Sequence, residues 1–322
     1  MAGKNGTSPS PLTGLTEQSQ EIVLHDAAAS PFLKARAGWP QTLSSQRPQD
    51  PFSAPVLWEA SLESPRLLFL DLETTGLYPK RDVIVEIALS LFVLEGNELR
   101  HLRSYVGWED PGFPIPRRVS KIHGLERSHL AGQHIAWDLV QAFFDLADFA
   151  VGHNVFHFDA RFLVQNISFD RWLDTLRYPW KKELKLPSAS LPSILHALEI
   201  PSPRAHSALE DALHLALALQ TVKGGVAWLE SAFQRLRQGV LGKVQELQTL
   251  ALATYEATGK NTCAIEVGPS AEVYRVHIEK TNETCWYSSE GNLLEEAHVG
   301  EALWRSYLQT RRTDNLYRWR DG

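Results

Sequence analysis

The sequence predicts an α/β fold, a layered domain on a mixed sheet followed by a small C-terminal α/β module, and three observations predict it. Apolar runs at 67–70, 83–94 and 98–106 read as consecutive strands, the last two joined at Gly96-Asn97, a pair suited to a tight hairpin. From 116 to 222 a further short strand is interleaved with stretches of three- and four-residue apolar spacing, the period of a helix lying on a sheet. After Lys223-Gly224-Gly225 the pattern restarts with helical periodicity over 226–257.

Taken in order, residues 1–65 carry eight of the eighteen prolines among Ser, Gln and Gly. Such a composition buries too little apolar surface to offset the entropy of ordering, so a largely disordered tail is expected. Within it, 15–37 could form a helix, and Trp39 and Trp58 could dock on the folded body. The body, 66–223, opens with the three strands. A short helix or turn follows at 116–125, then a helix over 135–146 on the stripe Ile135, Leu139, Phe143 and Leu146. A short strand at 149–151 leads to a helix over 158–167 with Phe158, Phe162, Leu163 and Ile167 on one face. Helices at 191–198 and 207–222 close this segment. Residues 224–322 add strands at 262–267, 273–279 and 284–288, a turn at Glu290-Gly291-Asn292 and a helix near 299–310.

At 322 residues and 43% hydrophobic, the chain can bury a sizeable core and is long enough for more than one domain. No apolar run approaches the roughly 18 residues of a membrane span, and the N-terminus lacks the apolar core of a secretory signal. Cys263 and Cys285 are the only cysteines and form no C-x-x-C pair. A cytoplasmic protein without a membrane partner is the expectation. The net charge of −6 does not advertise a nucleic-acid binder.

The stretch R-L-L-F-L-D-L-E-T-T-G-L, 66–77, organises the rest. Residues two apart on a strand point the same way, so Asp71 and Glu73 project side by side where the first strand ends. Adjacent carboxylates repel unless a cation offsets them. Metal ligands and solvated strand-end charges are equal readings of these two residues alone.

Three later sites bear on the choice. In V-G-H-N-V-F-H-F-D, 151–159, Asp159 falls in the first turn of a helix, where the dipole favours an acid whatever its role. In R-A-H-S-A-L-E-D-A, 204–212, Ser207 and Glu210 have the spacing of a capping box that starts the helix at Ser207. His206 then lies just before that helix and Asp211 in its opening turns. In I-H-G-L, 122–125, His123 precedes a turn glycine.

In order and spacing these sites read D-x-E-x-T-G, N-x3-F-D and H-x4-D, and here 66–223 resembles the DEDDh (DnaQ-like) 3′–5′ exonuclease family, including the proofreading exonucleases of the DNA polymerase III epsilon type. V-E-I-A, I-H-G-L and D-T-L at 174–176 agree as well. The resemblance implies an RNase H-like fold with a five-stranded mixed sheet flanked by helices. It implies that Asp71, Glu73, Asp159 and Asp211 hold two divalent ions, Mg²⁺ or Mn²⁺, with His206 as general base. It also implies that Thr74, Thr75, Gly76, Leu77 and His123 seat the 3′-terminal nucleotide. Carboxylates are hard oxygen ligands that suit such ions, and an ion pair about 3.5–4 Å apart assists in-line phosphodiester displacement.

With 17 Lys and Arg against 19 Asp and Glu, 66–223 is at −2, and setting aside the four ligands turns this to +2. Lys80, Arg81, Arg117, Arg118, Lys121, Lys181, Lys182 and Lys185 remain as phosphate-contact candidates. Arg118 departs from the proofreading pattern, in which an acid stands five residues before the H-G-I histidine. The expected substrate is a single-stranded or frayed 3′ end, DNA in preference to RNA, releasing nucleoside monophosphates. RNA trimming is the alternative within the same fold. A second reading makes the chain an accessory subunit of a DNA polymerase or sliding clamp, through 224–322 or the faint clamp-binding pattern at 248–252. A third has the late arginines with Trp286, Trp304 and Trp319 grip single strands. The balance of 11 Lys and Arg to 13 Asp and Glu in 224–322 favours packing or partner contact instead.

Overall fold

A computed structural model describes residues 62–202, 207–258, 262–267, 271–278, 281–313 and 316–321. The first sheet holds β1 (Arg66–Thr74), β2 (Ile84–Glu95), β3 (Glu98–Trp108), β4 (Phe149–Gly152) and β5 (Trp172–Asp174), in the order β3-β2-β1-β4-β5. β1 runs antiparallel to β2 and parallel to β4, and β4 is parallel to β5. This is the mixed five-stranded sheet of an RNase H-like fold. β1 reads as an unbroken apolar run because Leu67–Leu70 are buried to within 1% exposure, with cores on both faces of the sheet.

One face carries Leu68, Leu70, Ile87 and Leu89 against α3 (Trp137–Asp145) and α4 (Asp159–Leu163). The other carries Leu67, Phe69 and Val151 against α6 (Leu191–Ala197) and α7 (Ala208–Thr221). In α7 the buried residues Ala208, Ala212 and Ala216 recur every four positions, and small side chains let the helix lie close on β1 and β2. Shorter helices α1 (Arg117–His123), α2 (Arg127–Leu130) and α5 (Trp180–Glu183) fill the connections.

The structure departs from the sequence-based expectations in several places. β5 is a three-residue strand too short to show alternation, and the helix expected over 158–167 shortens to α4. The long helical run after Gly224 breaks at Gly242 into α8 (Gly225–Leu241) and α9 (Lys243–Thr258). Val226, Leu229 and Ala232 of α8 sit in the same core as β1 and α7, so this helix packs against the first sheet's own layer. Ser207 is the N-cap of α7 but its side chain makes no cap hydrogen bond, so the expected capping box does not form. The Ala208 N–H points instead at Glu86 Oε2, 3.4 Å away, from the neighbouring strand.

A second, antiparallel sheet has the order β10-β6-β7-β8-β9, from β6 (Thr262–Val267), β7 (Ala271–Ile278), β8 (Glu283–Ser288), β9 (Leu293–Leu294) and β10 (Tyr317–Asp321). It packs with α8, α9 and α10 (Glu296–Thr310) around Phe233, Val273, Trp286, Leu303, Trp304 and Tyr307. Trp286 and Trp304 are buried there, which removes them as stacking platforms for a single strand; the Trp319 side chain lies outside the described residues. The pattern at 248–252 lies on α9, as its helical periodicity predicts. The expected helix over 15–37, Trp39 and Trp58 lie outside the described residues. The short stretch before β1 is tied down: Trp304 Nε1 donates to Glu63 at 3.0 Å and Arg311 donates to the Leu62 carbonyl at 3.1 Å.

Candidate active site

Asp71 and Glu73 lie in the second half of β1, inside the strand rather than just beyond it. The parallel neighbour β4 delivers the chain to Asp159, the first residue of α4, and α7 brings Asp211 in its first turn. Acceptor oxygens of Asp71, Glu73 and Asp211 all lie within 4.8 Å of one another, close enough to share a cation. Asp159 is 2% exposed, and its Oδ1 is buried without a hydrogen-bond partner. Gly152, ahead of it on β4, leaves room for Val155, since a Cβ there would fall 2.9 Å from the Val155 Cβ.

The electrostatics of this cluster are one-sided. Burial, then the charges of Asp159, Asp211, Glu73 and Glu86, push the Asp71 carboxyl well above the ordinary range. Burial, followed by Glu86, Asp211 and Asp159, lifts Glu73 to about 8. Burial also raises Asp159. An orphaned buried oxygen together with mutually repelling carboxylates is what a hard divalent cation would satisfy, so this donor set fits one.

Glu86 is the residue that sequence reading passed over, noted only within V-E-I-A. It stands opposite Glu73 in the β1–β2 register, accepts the Trp108 indole N–H at 3.2 Å, and faces the N-terminus of α7. Its carboxylate thus orients the helix that carries Asp211. The signal was there in the period of two, since Glu86 interrupts an otherwise apolar strand.

A pocket of about 370 Å³ opens beside the acids, within the size range of ligand clefts. Its lining includes Asp71, Glu73, Asp211, Thr74, Gly76, Leu77 and His123. Thr75 is not on this wall. Its side chain is buried and accepts the Val83 N–H at 3.0 Å, closing the loop between β1 and β2. A Cβ at Gly76 would fall 2.5 Å from the Asp82 carboxylate, so any other residue there would displace that side chain from the Tyr78 N–H that it accepts at 2.9 Å. Leu72, Phe158, Arg118, Val119 and Ile122 complete the wall. Leu77 and Ile122 are 69% and 53% exposed, which offers apolar surface at the mouth of the pocket. His206 lies outside the described residues; its neighbour Ser207 is the N-cap of α7.

The exonuclease family model RNase_T matches residues 68–219. DNA polymerase III PolC-type from Thermotoga petrophila is 30% identical over 197 residues, which is 58% of this chain and 14% of that protein. Its counterpart from Thermotoga maritima is 33% identical over 152 residues, 44% of this chain and 11% of that protein. The chain therefore spans only a small part of the length of these relatives. Among solved structures, E. coli exonuclease I in complex with a dA16 oligonucleotide aligns over 70% of this chain and 55% of that one, at a TM-score of 0.45 and 16% identity.

Proposed function

Because residues 68–219 belong to the DEDDh (DnaQ-like) exonuclease family, we propose that this chain removes nucleotides from the 3′ end of DNA by metal-assisted hydrolysis of the terminal phosphodiester. The observation that carries the reading is the convergence of Asp71, Glu73, Asp159 and Asp211 beside a nucleotide-sized pocket, with Asp71 and Glu73 raised by burial and by the charges of the other acids.

Asp71, Glu73, Asp159 and Asp211 would hold Mg²⁺ or Mn²⁺. Bound there, two such ions supply charge stabilisation to the phosphate and lower the pKa of an attacking water. The chain's own residues do the rest. Thr74, Gly76, Leu77 and His123 seat the 3′-terminal nucleotide, with Leu77 and Ile122 against its base. His123 is oriented for this by the Leu125 N–H, donated to its Nδ1 at 3.0 Å. His206, which stands just before Ser207 in the sequence, takes the proton of the water, as a neutral imidazole can do. The water oxygen bonds to phosphorus as the bond to the 3′ oxygen of the preceding nucleotide breaks, and a nucleoside 5′-monophosphate leaves.

DNA is preferred over RNA because the relatives by sequence are DNA polymerases by name. The same names support a second reading, in which the chain works beside a DNA polymerase. A 5′-labelled oligonucleotide assay tests the first. Single-stranded DNA, mismatched duplex and RNA are compared with Mg²⁺, Mn²⁺ and chelator. A ladder that shortens from the 3′ end of DNA and stops with chelator is expected; shortening that ignores chelator contradicts the proposal. Co-purification of a polymerase with the metal-site variant Asp71→Ala tests the second.

A further inference from the structure

On the 3′-exonuclease reading above, we propose that Arg118 is a positioning residue that grips a phosphate of the bound DNA strand. α1 presents two stripes to the catalytic pocket, Arg118 with Ile122 and Val119 with His123, each pair four residues apart and so on one helical face. Three of the residues on the same wall, Asp71, Glu73 and Asp211, are carboxylates. Among the described residues lining the pocket, Arg118 is the only lysine or arginine.

It is also uncommitted. Arg81, Arg100, Arg127, Arg171, Arg311 and Arg312 each sit on a carboxylate. Arg118 has no hydrogen bond or ion pair among the described residues and is exposed. Nothing in the fold needs its charge, so its guanidinium is free to serve a ligand. A planar fork of donors matches a phosphate, and a strand entering this pocket must bring its backbone past four acids. The apolar neighbours Val119 and Ile122 suit the sugar and base of the same nucleotide, which leaves the polyanionic backbone for Arg118.

The test uses the full chain, Arg118→Gln and Arg118→Lys, with single-stranded oligodeoxynucleotides. Steady-state kinetics with Mg²⁺ should show KM raised about tenfold in Arg118→Gln with kcat within twofold, and partial recovery in Arg118→Lys. Binding measured by fluorescence anisotropy in chelator should show the slope of log K against log salt reduced by about 0.7 in Arg118→Gln, the effect of one lost single-strand phosphate contact. A neutral methylphosphonate placed in turn at each linkage near the 3′ end should weaken the wild type at one linkage and leave Arg118→Gln indifferent there. An unchanged salt slope, or methylphosphonate losses that are the same in both proteins at every linkage, overturns the proposal. The binding arm reads Arg118 even if the wild type shortens no DNA, an outcome that would instead sink the exonuclease reading.

Discussion

Two ends of the central sheet each bury carboxylates, and they treat the charge in opposite ways. At the carboxyl end of β1, burial raises Asp71, Glu73 and Asp159, and the charges of neighbouring acids add to it at Asp71 and Glu73; every influence on Asp71 is burial or a further acid. At the amino end of the same strand, Asp148 is fully buried but surrounded by donors. It accepts the Arg66 N–H at 2.8 Å and the Tyr307 hydroxyl at 3.0 Å, and Arg311 Nε stands 3.4 Å away. Arg171 donates to the Asp148 carbonyl at 3.0 Å. Burial still outweighs these donors and lifts the Asp148 carboxyl, a reminder that a buried ion pair is weak evidence of stability. The lesson is in the company each acid keeps. A buried acid with donors from three elements is architecture; buried acids with only each other are waiting for a ligand.

The largest effect that would break this contrast is on activity. Asp71→Ala should lower Mg²⁺-dependent shortening of DNA by at least about 10³-fold while leaving the circular dichroism spectrum unchanged. Residual activity within tenfold of wild type would place the chemistry elsewhere.

At the other end the loss should be of stability. Asp148→Ala strands Arg66 and Arg311 in the interior and should cost about 3–5 kcal/mol in denaturant unfolding. Ending the chain at Lys223 should be at least as damaging, because it strips Val226, Leu229 and Ala232 from the core beneath β1.

The third effect depends on pH and has opposite sign with and without metal. Glu73 rises from 4.5 to about 8, and Asp71 and Asp159 rise with it, so the metal-free folded protein keeps protons that the unfolded chain releases. Between about pH 4.5 and about 8 the unfolded chain gains free energy by releasing those protons while the folded state still holds them, so stability falls as the pH rises. Melting in chelator should therefore drop across that window. Mn²⁺ should raise the midpoint more at pH 8 than at pH 5, by about 2–4 °C for each kcal/mol of binding. Equal shifts at both pH values would count against these acids as the ligands. The smallest effect is Tyr307→Phe, which removes one hydrogen bond to Asp148 and should cost about 1 kcal/mol by the same unfolding measurement.

Much of the acidic end was legible in the sequence, because β1, β2 and β3 announce themselves by apolar runs and Gly96 by its turn. The period of two put Asp71 and Glu73 on one face, and only the family resemblance joined Asp159 and Asp211 to them. What stayed hidden depends on contacts between distant segments. Ser207 makes no side-chain cap hydrogen bond, and the first N–H of α7 points at Glu86 of β2, a residue 122 positions away in the chain. Thr75 turns into the β1–β2 loop because Val83 offers it an N–H. The Asp148 cluster joins 66, 148, 171, 307 and 311, a set with no local signature at all. Arg311 is placed for it by a left-handed backbone, φ 51°, at the end of α10, which no residue preference would predict for arginine.

The most direct measurement of the central claim is calorimetric titration of the full chain with Mn²⁺, alongside Asp71→Asn and Asp159→Asn. The account predicts about two ions per chain in the wild type, with binding weakened or reduced in number in each variant. Wild type and both variants binding Mn²⁺ equally would contradict it, and would return the four acids to being an unexplained cost of the fold.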